Sequence, residues 1–352
     1  MQRICHSLQQ AGYAVTLVGR QWPGSQPLQP QQYAQHRLHC IFHKGKLFYL
    51  EFNLRLAFFL IKRRDDAYGA IDLDTALPVY FKALSCRKPF ISDAHEYCPE
   101  TPEVIRRPAV RKLWQAVEGF IVPRTRYAYT VSASLARLFT TRYRVPFALI
   151  RNMPLLQPPV PEQHQPASPL VPDKPFILYQ GAVNEGRGLA ELLQAMQQVD
   201  MPLLICGEGD LLEALKEQVR QTGLSGRVTF AGYVLPADLS WITSRAFMGI
   251  MLLADTGKSY YYSLANKFFD YVQAGIPQLL PDFPEYRALN ERYEVGLFCD
   301  LQPEHIARTL NRLIREPALH QRLSRNCRLA RRQLCWQEEE KKLLAFYEQI
   351  WK

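Results

Sequence analysis

The sequence predicts an α/β protein made of two Rossmann-like domains, each built around a mostly parallel sheet. With 352 residues, the chain exceeds one ordinary core and suits two domains of ~150 residues each. Short apolar runs alternate with helical patterns, which is the βαβ rhythm of parallel sheets. A proline-dense segment at 153–175 interrupts this rhythm, and the rhythm restarts after it.

The first half opens with a predicted helix at 2–11, followed by a β-rich strand at 14–19. Short apolar runs that end in polar residues predict further strands at 69–74, 88–96 and 128–132. Helical patterns lie between these runs, at 75–86 and 132–143. Serines at the start of the second pattern predict a side-chain cap for that helix.

The most apolar run, LFYLEFNLRLAFFLI at 47–61, is too short to span a membrane, because a spanning helix needs ~20 residues. Glu51 and Arg55 also interrupt it. We expect a buried amphipathic helix here. A helix that lies in a membrane interface is the alternative, since such helices combine an apolar face with charged residues.

The first domain starts without one expected element. A doubly wound domain normally begins with a strand and a tight loop before its first helix, and that strand lies in the middle of the sheet. Here the helix at 2–11 comes first, so the first strand is missing. We expect that the given sequence starts late; the alternative is a sheet built without its central strand.

The second half repeats the βαβ rhythm. Its predicted strands lie at 176–182, 202–209, 227–234, 246–253 and 277–282. Its predicted helices lie at 188–199, 211–223 and 268–275. The last segment, 303–352, is helical with alternating charge, and its apolar stripe consists of Trp336, Phe346, Tyr347 and Trp351.

Basic residues are concentrated in the first half. Residues 1–150 carry 21 Lys and Arg against 10 Asp and Glu, whereas the rest of the chain carries 22 against 23. This imbalance predicts an acidic partner for one domain, such as an anionic membrane surface, a phospholipid or a charged glycan. Solubility alone is the alternative explanation. No RRM, helix-turn-helix or zinc-finger pattern is present, so we expect no nucleic-acid partner.

Cysteine usage and the N-terminus predict a cytoplasmic protein. The eight cysteines show neither a CxxC pair nor regular spacing, which argues against a zinc site and a disulfide framework and favours a reducing compartment. The N-terminus is polar and amphipathic and shows no signal peptide. The basic half adds the expectation of a peripheral location at the inner face of the membrane.

Motifs along most of the chain resemble the retaining glycosyltransferases of family 4, which have the GT-B fold. SDAHE, TVSASLARLF and RNMP resemble the N-domain pattern, and YQGAVNEGRGLAELLQAM, CGEGDLLEALKE, RVTFAGYV and SLANKFFDYVQAGIP resemble the donor-domain pattern. The resemblance implies two domains that face a cleft. Its predicted segments are an acceptor-side domain at 1–152, the linker at 153–175, a nucleotide-sugar donor domain at 176–330 and a final helix at 331–352 that crosses back to the first domain.

The stretch SLANKFFDYVQAGIP at 263–277 is expected to hold a phosphate and a sugar hydroxyl. Asn266 and Lys267 begin a helix, where free backbone N–H groups and an ammonium attract phosphate. Asp270 lies three residues on, on a neighbouring part of the same face, and its carboxylate can accept hydrogen bonds from a ribose diol. A simple surface pair between Lys267 and Asp270 is the alternative.

Arg187 is the second predicted phosphate ligand. It follows Gly186 in a glycine-flanked loop before a helix, where the backbone can approach a ligand and a guanidinium can clamp phosphate. Arg187 and Lys267 would stabilise the departing diphosphate, so we expect neither a metal nor a cofactor. The Asp-x-Asp run of Asp72 and Asp74 lies in the other domain, where a structural role is expected.

The resemblance implies further donor contacts. Backbone groups of Ser263, Leu264 and Ala265 are expected to contact the sugar or the diphosphate. The family has an acidic residue where this chain has Tyr262, which can donate a hydrogen bond but carries no negative charge. Residues that follow strand ends are expected near the donor and its base: Gly181, Gly207, Glu208 and Tyr233.

On the acceptor side, SDAHE places Asp93 and His95 on one face at the end of a strand. The resemblance implies that His95 faces the donor sugar and acceptor, where it could bond a sugar hydroxyl or steady an oxocarbenium ion through its carbonyl. A structural histidine is the alternative. Asp93, Glu96 and Glu100 are expected to contact the acceptor.

These observations predict a retaining glycosyltransferase of the hexosyltransferase type. It would move a sugar from a nucleotide-diphospho-sugar to a glycan or lipid-linked acceptor in the synthesis of a surface polysaccharide or glycoconjugate. No strong base for an inverting attack is visible, and this, with the resemblance, favours retention. Two alternatives stay open: a sugar-nucleotide 2-epimerase of the same fold, and an inactive or truncated homologue.

Overall fold

The structure, a computed structural model, describes residues 1–156 and 171–352. It divides into two compact units. The first comprises Met1–Arg151 together with Glu338–Lys352, and the second comprises Asn152–Gln337. The predicted linker at 153–175 lies largely outside the described residues.

Strands and helices alternate through most of the first unit, as the sequence predicts, except that β1 and β2 are consecutive and that two helices lie between β4 and β5. Its strands are β1 (Thr16–Gln21), β2 (Ala34–His39), β3 (Tyr68–Ile71), β4 (Phe90–Ala94), β5 (Tyr127–Thr130) and β6 (Ala148–Leu149). Its helices include α1 (Gln2–Gln10), α2 (Gly45–Ile61), α3 (Ala76–Cys86), α4 (Pro102–Ile105), α5 (Pro108–Ile121) and α6 (Ala133–Tyr143). Ser132 Oγ accepts a hydrogen bond from the backbone N of Leu135 at 3.1 Å, so the predicted serine cap of α6 is confirmed.

The strands of the first unit form two separate parallel sheets. Among the described residues β1 pairs with β2 alone, and β3 to β6 form a second sheet in sequence order. In a doubly wound sheet the first strand lies in the middle and would join β1 to β3. Within the described residues no ladder connects these two strands, in agreement with the missing first strand that the sequence indicates.

Helix α2 is apolar on two opposite faces. Phe48, Phe52, Leu56 and Leu60 recur every four residues and are buried in the first unit. The other face carries five large apolar side chains that are exposed: Leu47, Leu50, Leu54, Phe58 and Ile61. The expected burial of this helix is therefore correct for one face only.

The second unit contains the longer, continuous sheet. Its strands are β7 (Ile177–Gln180), β8 (Leu203–Cys206), β9 (Val228–Gly232), β10 (Met248–Ile250), β11 (Gln278–Leu280) and β12 (Gly296–Phe298). Its helices are α7 (Leu189–Ala195), α8 (Leu212–Gln221), α9 (Pro236–Arg245), α10 (Lys258–Tyr261), α11 (Asn266–Ala274), α12 (Pro284–Tyr293), α13 (Pro303–Arg315) and α14 (Pro317–Ala330).

All neighbours in this sheet run parallel, in the order β12-β11-β10-β7-β8-β9. The chain moves outward from β7 to β9 and then continues at β10, on the other side of β7. Loops that follow β7 and β10 therefore diverge, and ligands of open α/β sheets bind where the carboxyl ends of strands diverge in this way. Fully buried aliphatic side chains, such as Leu192 and Ile205, fill the core beside the sheet.

The last helix, α15 (Trp336–Glu348), is shorter than the predicted segment at 331–352. From Glu338 onward its residues belong to the first unit. There the ring of Phe346 packs edge-on against Tyr129, with centroids 5.2 Å apart. No helix in the described part of the chain has both the length and the apolar character needed to cross a bilayer.

Candidate active site

Lys267 carries a buried ammonium at the start of α11. The helix begins at Asn266, as predicted, and Lys267 is only 8% exposed. Its Nζ lies 3.7 Å from the ring centroid of Tyr179 and has no hydrogen-bond partner among the described residues. Gly181 lies beside it, since a Cβ added there would be 3.5 Å from Nζ.

The surroundings of Lys267 disfavour its charge. Burial lowers the pKa of Lys267 well below its usual value, and the positive charge of Arg187 lowers it further, whereas Asp270 acts in the opposite direction. An ammonium that is buried without a partner is costly, and an anion that bound beside it would offset this cost. The geometry therefore suits an anionic ligand.

Arg187 is held by two glycines with left-handed backbone conformations. Gly186 has φ 78° and Gly188 has φ 65°, and a Cβ on Gly188 would come within 2.8 Å of Leu252. The guanidinium Cζ lies 4.8 Å from the ring centroid of Tyr260, and the buried Nε has no hydrogen-bond partner within the described chain. The two glycines thus set the conformation of the loop. The loop places the guanidinium of Arg187 close enough to Lys267 for its positive charge to lower the pKa of Lys267.

Asp270 is anchored to the end of β7. Its Oδ2 accepts a hydrogen bond from Gln180 Nε2 at 3.0 Å, and Gln180 Oε1 accepts one from Thr243 Oγ1 at 2.7 Å. Gln180 is 3% exposed, so this chain of bonds joins α9, β7 and α11 in the interior. Asp270 therefore has a structural role that the sequence did not reveal, and its contact with a ribose stays a prediction.

The glycines after β8 bring two strand-end loops into backbone contact. Gly207 has φ 153°, and a Cβ there would lie 1.9 Å from the carbonyl oxygen of Gly181. A Cβ on Gly209 would lie 2.1 Å from Asn184 Oδ1. These glycines are explained by close approach of the loops. Glu208 is exposed beside them.

Tyr233 and Tyr262 differ in exposure. Tyr233 follows Gly232 and is 68% exposed, so it is available to a ligand and is not packed in the core. Tyr262 is half-buried, and its ring centroid lies 5.3 Å from that of Tyr261. The predicted donor contacts of both remain predictions.

Two of the predicted backbone donors already have partners. The N–H of Ser263 donates to the carbonyl of Tyr260 at 3.1 Å, and the N–H of Ala265 donates to Tyr286 Oη at 2.9 Å. Ser263 Oγ also donates to the Tyr260 carbonyl, at 2.7 Å. Leu264 is buried between them. These bonds shape the turn before α11 and leave fewer amides for a diphosphate than the resemblance implies.

The sequence reasoning missed several residues of this site. Tyr179 lies under the ammonium of Lys267, Tyr260 lies under the guanidinium of Arg187, and Gln180 holds Asp270. Thr256 Oγ1 is a further buried oxygen without a hydrogen-bond partner in the described chain, and it lies 3.7 Å from the Cβ position of Gly186. Tyr179 and Gln180 are the last residues of a strand, and this position by itself indicates residues near a ligand in a parallel sheet.

In the first unit, Asp93 is directed at His95. Its carboxylate is buried, with Oδ1 3.0 Å from His95 Nε2 and Oδ2 accepting a hydrogen bond from Tyr129 Oη at 2.9 Å. The structure thus places Asp93 behind the histidine, where it orients the imidazole. The predicted contact of Asp93 with an acceptor has no support in this geometry.

Two carboxylates act on His95. Asp72, with φ 56°, accepts hydrogen bonds from the backbone N–H of His95 at 2.7 Å and of Glu96 at 3.3 Å. Burial opposes charge on the imidazole, but Asp93 and Asp72 outweigh it and raise the pKa of His95. Burial raises the pKa of Asp72 itself to about 7.

The two other residues predicted to contact the acceptor, Glu96 and Glu100, have different surroundings. Glu96 is exposed next to His95. Glu100 is partly buried and pairs with Arg111. Asp72 has the structural role expected of it, since it fixes the turn at His95.

Cys299, Asp300 and His305 form a group in the described residues that could bring three metal ligands together. Asp300 Oδ1 accepts a hydrogen bond from the backbone N of Gln302 at 2.9 Å, and Oδ2 lies 3.0 Å from His305 Nδ1. Asp300 thus holds the turn just before α13 and lies against a histidine on that helix, and burial raises the pKa of the Cys299 thiol to about 11. The group is therefore explained without a metal.

Comparisons with known proteins agree with the prediction of two domains. The sequence profile described as Glycosyltransferase Family 4 matches residues 1–154, and the profile described as Glycosyl transferases group 1 matches residues 161–330. A search of curated protein sequences gives no match.

Solved structures with the same fold cover nearly the whole chain. Sucrose-phosphate synthase from Thermosynechococcus elongatus is 19% identical, with a TM-score of 0.80 over 99% of this chain and 92% of that one. Anabaena HepE in complex with UDP-glucose is 13% identical, with a TM-score of 0.70 over 90% and 86%. A putative UDP-N-acetylglucosamine 2-epimerase from Listeria monocytogenes is 11% identical, with a TM-score of 0.63 over 99% and 92%.

The two profiles together match residues in both units, and the parallel sheets of the two units agree with the fold of these solved structures. The chain belongs to the family 4-like glycosyltransferases of the GT-B fold.

Proposed function

We propose that this glycosyltransferase takes a sugar from a nucleotide-diphospho-sugar and transfers it, with retention of configuration, to a glycan or lipid-linked acceptor. One observation carries the proposal: the buried ammonium of Lys267 has no partner in the described chain and lies near the guanidinium of Arg187. Two cations that are already in position before the reaction starts can stabilise a pyrophosphate leaving group, because its negative charge grows as the glycosidic bond breaks.

The chemistry assigned to the second unit is stabilisation of the leaving group. Lys267 and Arg187 would bind the diphosphate more tightly as it departs, which lowers the barrier without a proton transfer. Asp270 would bond the ribose from its position on α11, where Gln180 at the end of β7 anchors its carboxylate. The UDP-glucose complex of a structural neighbour supports a nucleotide-diphospho-sugar as the donor class.

The resemblance of the sequence motifs to retaining glycosyltransferases supports retention. In a front-face transfer the departing phosphate takes the proton of the acceptor hydroxyl, so a separate base is not required. Asp93 and Asp72 raise the pKa of His95 and so stabilise its protonated form, which can donate a hydrogen bond to a sugar hydroxyl.

A thermal-shift screen of sugar nucleotides tests the donor class, because a ligand that binds the folded protein raises the melting temperature. We expect a shift with at least one nucleotide-diphospho-sugar and with its nucleoside diphosphate. Proton NMR of the purified product then gives the anomeric configuration, and an inverted product would contradict retention. No shift with any UDP, GDP or ADP ligand would favour an inactive homologue.

A second candidate function is sugar-nucleotide 2-epimerisation, because a putative 2-epimerase shares the fold of this chain. An epimerase acts on the sugar nucleotide alone, whereas a transferase needs an acceptor. NMR of the donor incubated without acceptor separates the two, and a new sugar configuration would favour the epimerase. A 2-epimerase needs acid and base groups on both faces of the sugar. The side chains near His95 provide few such groups, so the transferase is the better-supported function.

The proposal also places the enzyme in the cytoplasm, at the inner face of a membrane, in the synthesis of a surface polysaccharide or glycoconjugate. A lipid-linked acceptor would require such a location. The excess of basic residues in the first half supports it.

A further inference from the structure

The outer face of α2 is an unusually large exposed apolar surface. We define it by five residues, each exposing more than half of its area: Leu47, Leu50, Leu54, Phe58 and Ile61. They recur at intervals of three and four residues, so they form one stripe along four turns of the helix. The opposite face of the helix is buried in the first unit, so its packing does not require this stripe. Large exposed apolar surfaces mark sites of protein or membrane interaction.

The loop before α2 extends this surface. Ile41 is 74% exposed and Phe42 is 43% exposed. Their backbone N–H groups donate to the carboxylate of Glu51 at 2.9 Å, so the loop is attached to the helix. These bonds and Arg55, which lies 2.7 Å from Glu51, lower the pKa of Glu51 to about 2. The helix has no other acidic residue.

Cations surround the outer face. Lys44 and Lys46 are exposed at the N-terminal end of α2, and Lys62 and Arg64 are exposed beyond its C-terminal end. An open groove at that end is lined by apolar and basic side chains together: Phe58, Phe59, Ile61, Lys62 and Arg63. An apolar stripe between basic residues is the pattern of a helix that lies in the interface of an anionic bilayer.

We propose that the outer face of α2 docks the enzyme onto an anionic lipid bilayer, with the helix parallel to the membrane plane. Leucine and phenylalanine side chains enter the acyl boundary, and the flanking lysines and arginines contact lipid phosphates. This inference assigns the membrane contact of the proposed function to one surface. It rests on that function in one respect: a lipid-linked acceptor would explain why the enzyme binds a membrane.

The charges favour a membrane over a second copy of the chain. A symmetric dimer through α2 would bring two sets of the same cations together without added acidic residues, since Glu51 is already bonded. An anionic leaflet instead supplies negative charge along the whole helix. Dimerisation through α2 is therefore the competing outcome of the experiment.

The test compares vesicle binding of matched variants of the full chain. Vesicles of phosphatidylcholine with 30% phosphatidylglycerol serve as the anionic probe, and phosphatidylcholine alone as the neutral one. The test variant is Leu54→Ser with Phe58→Ser. The matched control is Leu235→Ser with Leu329→Ser, whose side chains are 60% and 62% exposed in the second unit.

We expect the unchanged chain and the control to float with anionic vesicles, and the test variant to lose about 10-fold or more of its partition coefficient, because it buries less apolar area. All four positions are exposed, so circular dichroism and the melting temperature should not change. A second variant, Lys44→Glu with Lys62→Glu, keeps the apolar face. It should lose the preference for anionic over neutral vesicles.

Three results would overturn the inference: no binding of the unchanged chain to anionic vesicles, equal losses in the test variant and the control, or a dimer in sedimentation equilibrium that the test variant converts to a monomer. Nucleotide-diphosphate binding, measured on the same samples, separates this inference from the proposed function. A chain that binds vesicles but no sugar nucleotide would refute the function alone. Normal nucleotide binding without vesicle binding would refute the docking surface alone.

Discussion

Lys267 and Tyr179 form a cation–π contact, with the ammonium 3.7 Å from the ring centroid. This contact holds the cation at the end of β7 without neutralising it. The ammonium is therefore positioned before any ligand arrives, and it gains a full counter-charge only when an anion binds. Five predictions follow from this site and from the His95 site.

Lys267→Ala and Arg187→Ala should each weaken binding of a nucleoside diphosphate by about 10- to 100-fold, since a hydrogen bond to a charged group contributes ~1.5–3 kcal/mol. Binding of the matching nucleoside should change little, because it has no phosphate. Isothermal titration calorimetry measures both. Lys216→Ala is the matched control, because Lys216 is a partly exposed lysine paired with Glu213 on α8. Equal losses for nucleotide and nucleoside would contradict the phosphate assignment.

Binding of a nucleoside diphosphate should be coupled to proton uptake by Lys267. The pKa of Lys267 is lowered in the free protein, and a bound phosphate would raise it again. Affinity should therefore increase as the pH falls through the range between the lowered and the raised pKa. Titrations in buffers with different ionisation enthalpies report the number of protons taken up. Lys267→Met should abolish the uptake, and uptake that persists in this variant would contradict the prediction.

The same pKa predicts how stability depends on pH without ligand. Because the folded pKa lies below the unfolded value of ~10.4, the unfolded chain binds more protons between the two. The contribution of Lys267 to the free energy of unfolding is thus unfavourable below the lowered pKa and disappears as the pH rises towards ~10.4. Lys267→Met should be more stable than the unchanged chain at low pH, on the order of 1 kcal/mol. Urea unfolding at several pH values measures this difference.

His95→Ala should lower turnover while donor affinity stays nearly unchanged, because His95 lies in the unit that does not carry the phosphate-binding cations. Steady-state kinetics and calorimetry give the two quantities. Unchanged turnover would remove His95 from the active site.

Asp93→Asn tests whether Asp93 positions His95 electrostatically. The substitution keeps the shape but removes a charge that raises the pKa of His95. We expect NMR titration of the His95 ring to show a lower pKa, and the pH profile of turnover to shift to lower pH. His95 has a raised folded pKa, so its stabilising contribution is full below ~6.5 and is lost as the pH rises through the folded pKa. An unchanged His95 titration would show that Asp93 is only structural.

Gly207→Ala should destabilise the second unit by about 2 kcal/mol or more, since it adds a Cβ at a left-handed backbone and at 1.9 Å from the Gly181 carbonyl oxygen. Thermal unfolding measures the loss. Gly226→Ala is the matched control, because a Cβ there meets nothing within 4 Å. Comparable stability of the two variants would show that the strand-end loops are not in tight contact.

The sequence predicts most of the strands, because all three sheets are parallel and their buried strands are short apolar runs. It does not reveal β2, whose residues AQHRLH are mostly polar. Among the described residues β2 pairs on one side, with β1, so burial constrains its composition only weakly.

The candidate site could be predicted in part. The position of Lys267 at a helix start and of Arg187 between glycines follows from local patterns, and the structure shows both. The anchoring of Asp270 by Gln180, and of His95 by Asp93 and Tyr129, depends on contacts between distant segments, which a local pattern does not contain. For the segment at 47–61 the sequence gives an interfacial helix as an alternative to a buried one, but it does not show which face of α2 is exposed, because large apolar residues lie on two opposite faces.

The division of the first unit into two sheets has a consequence for local unfolding. Among the described residues β1 and β2 form a two-stranded ribbon, and contacts such as that of Arg63 with Thr16 join it to the segment before β3. A two-stranded ribbon is marginally stable by itself. Amide hydrogens in this ribbon should exchange with solvent through local opening long before those of β4 and β5, which are paired on both sides.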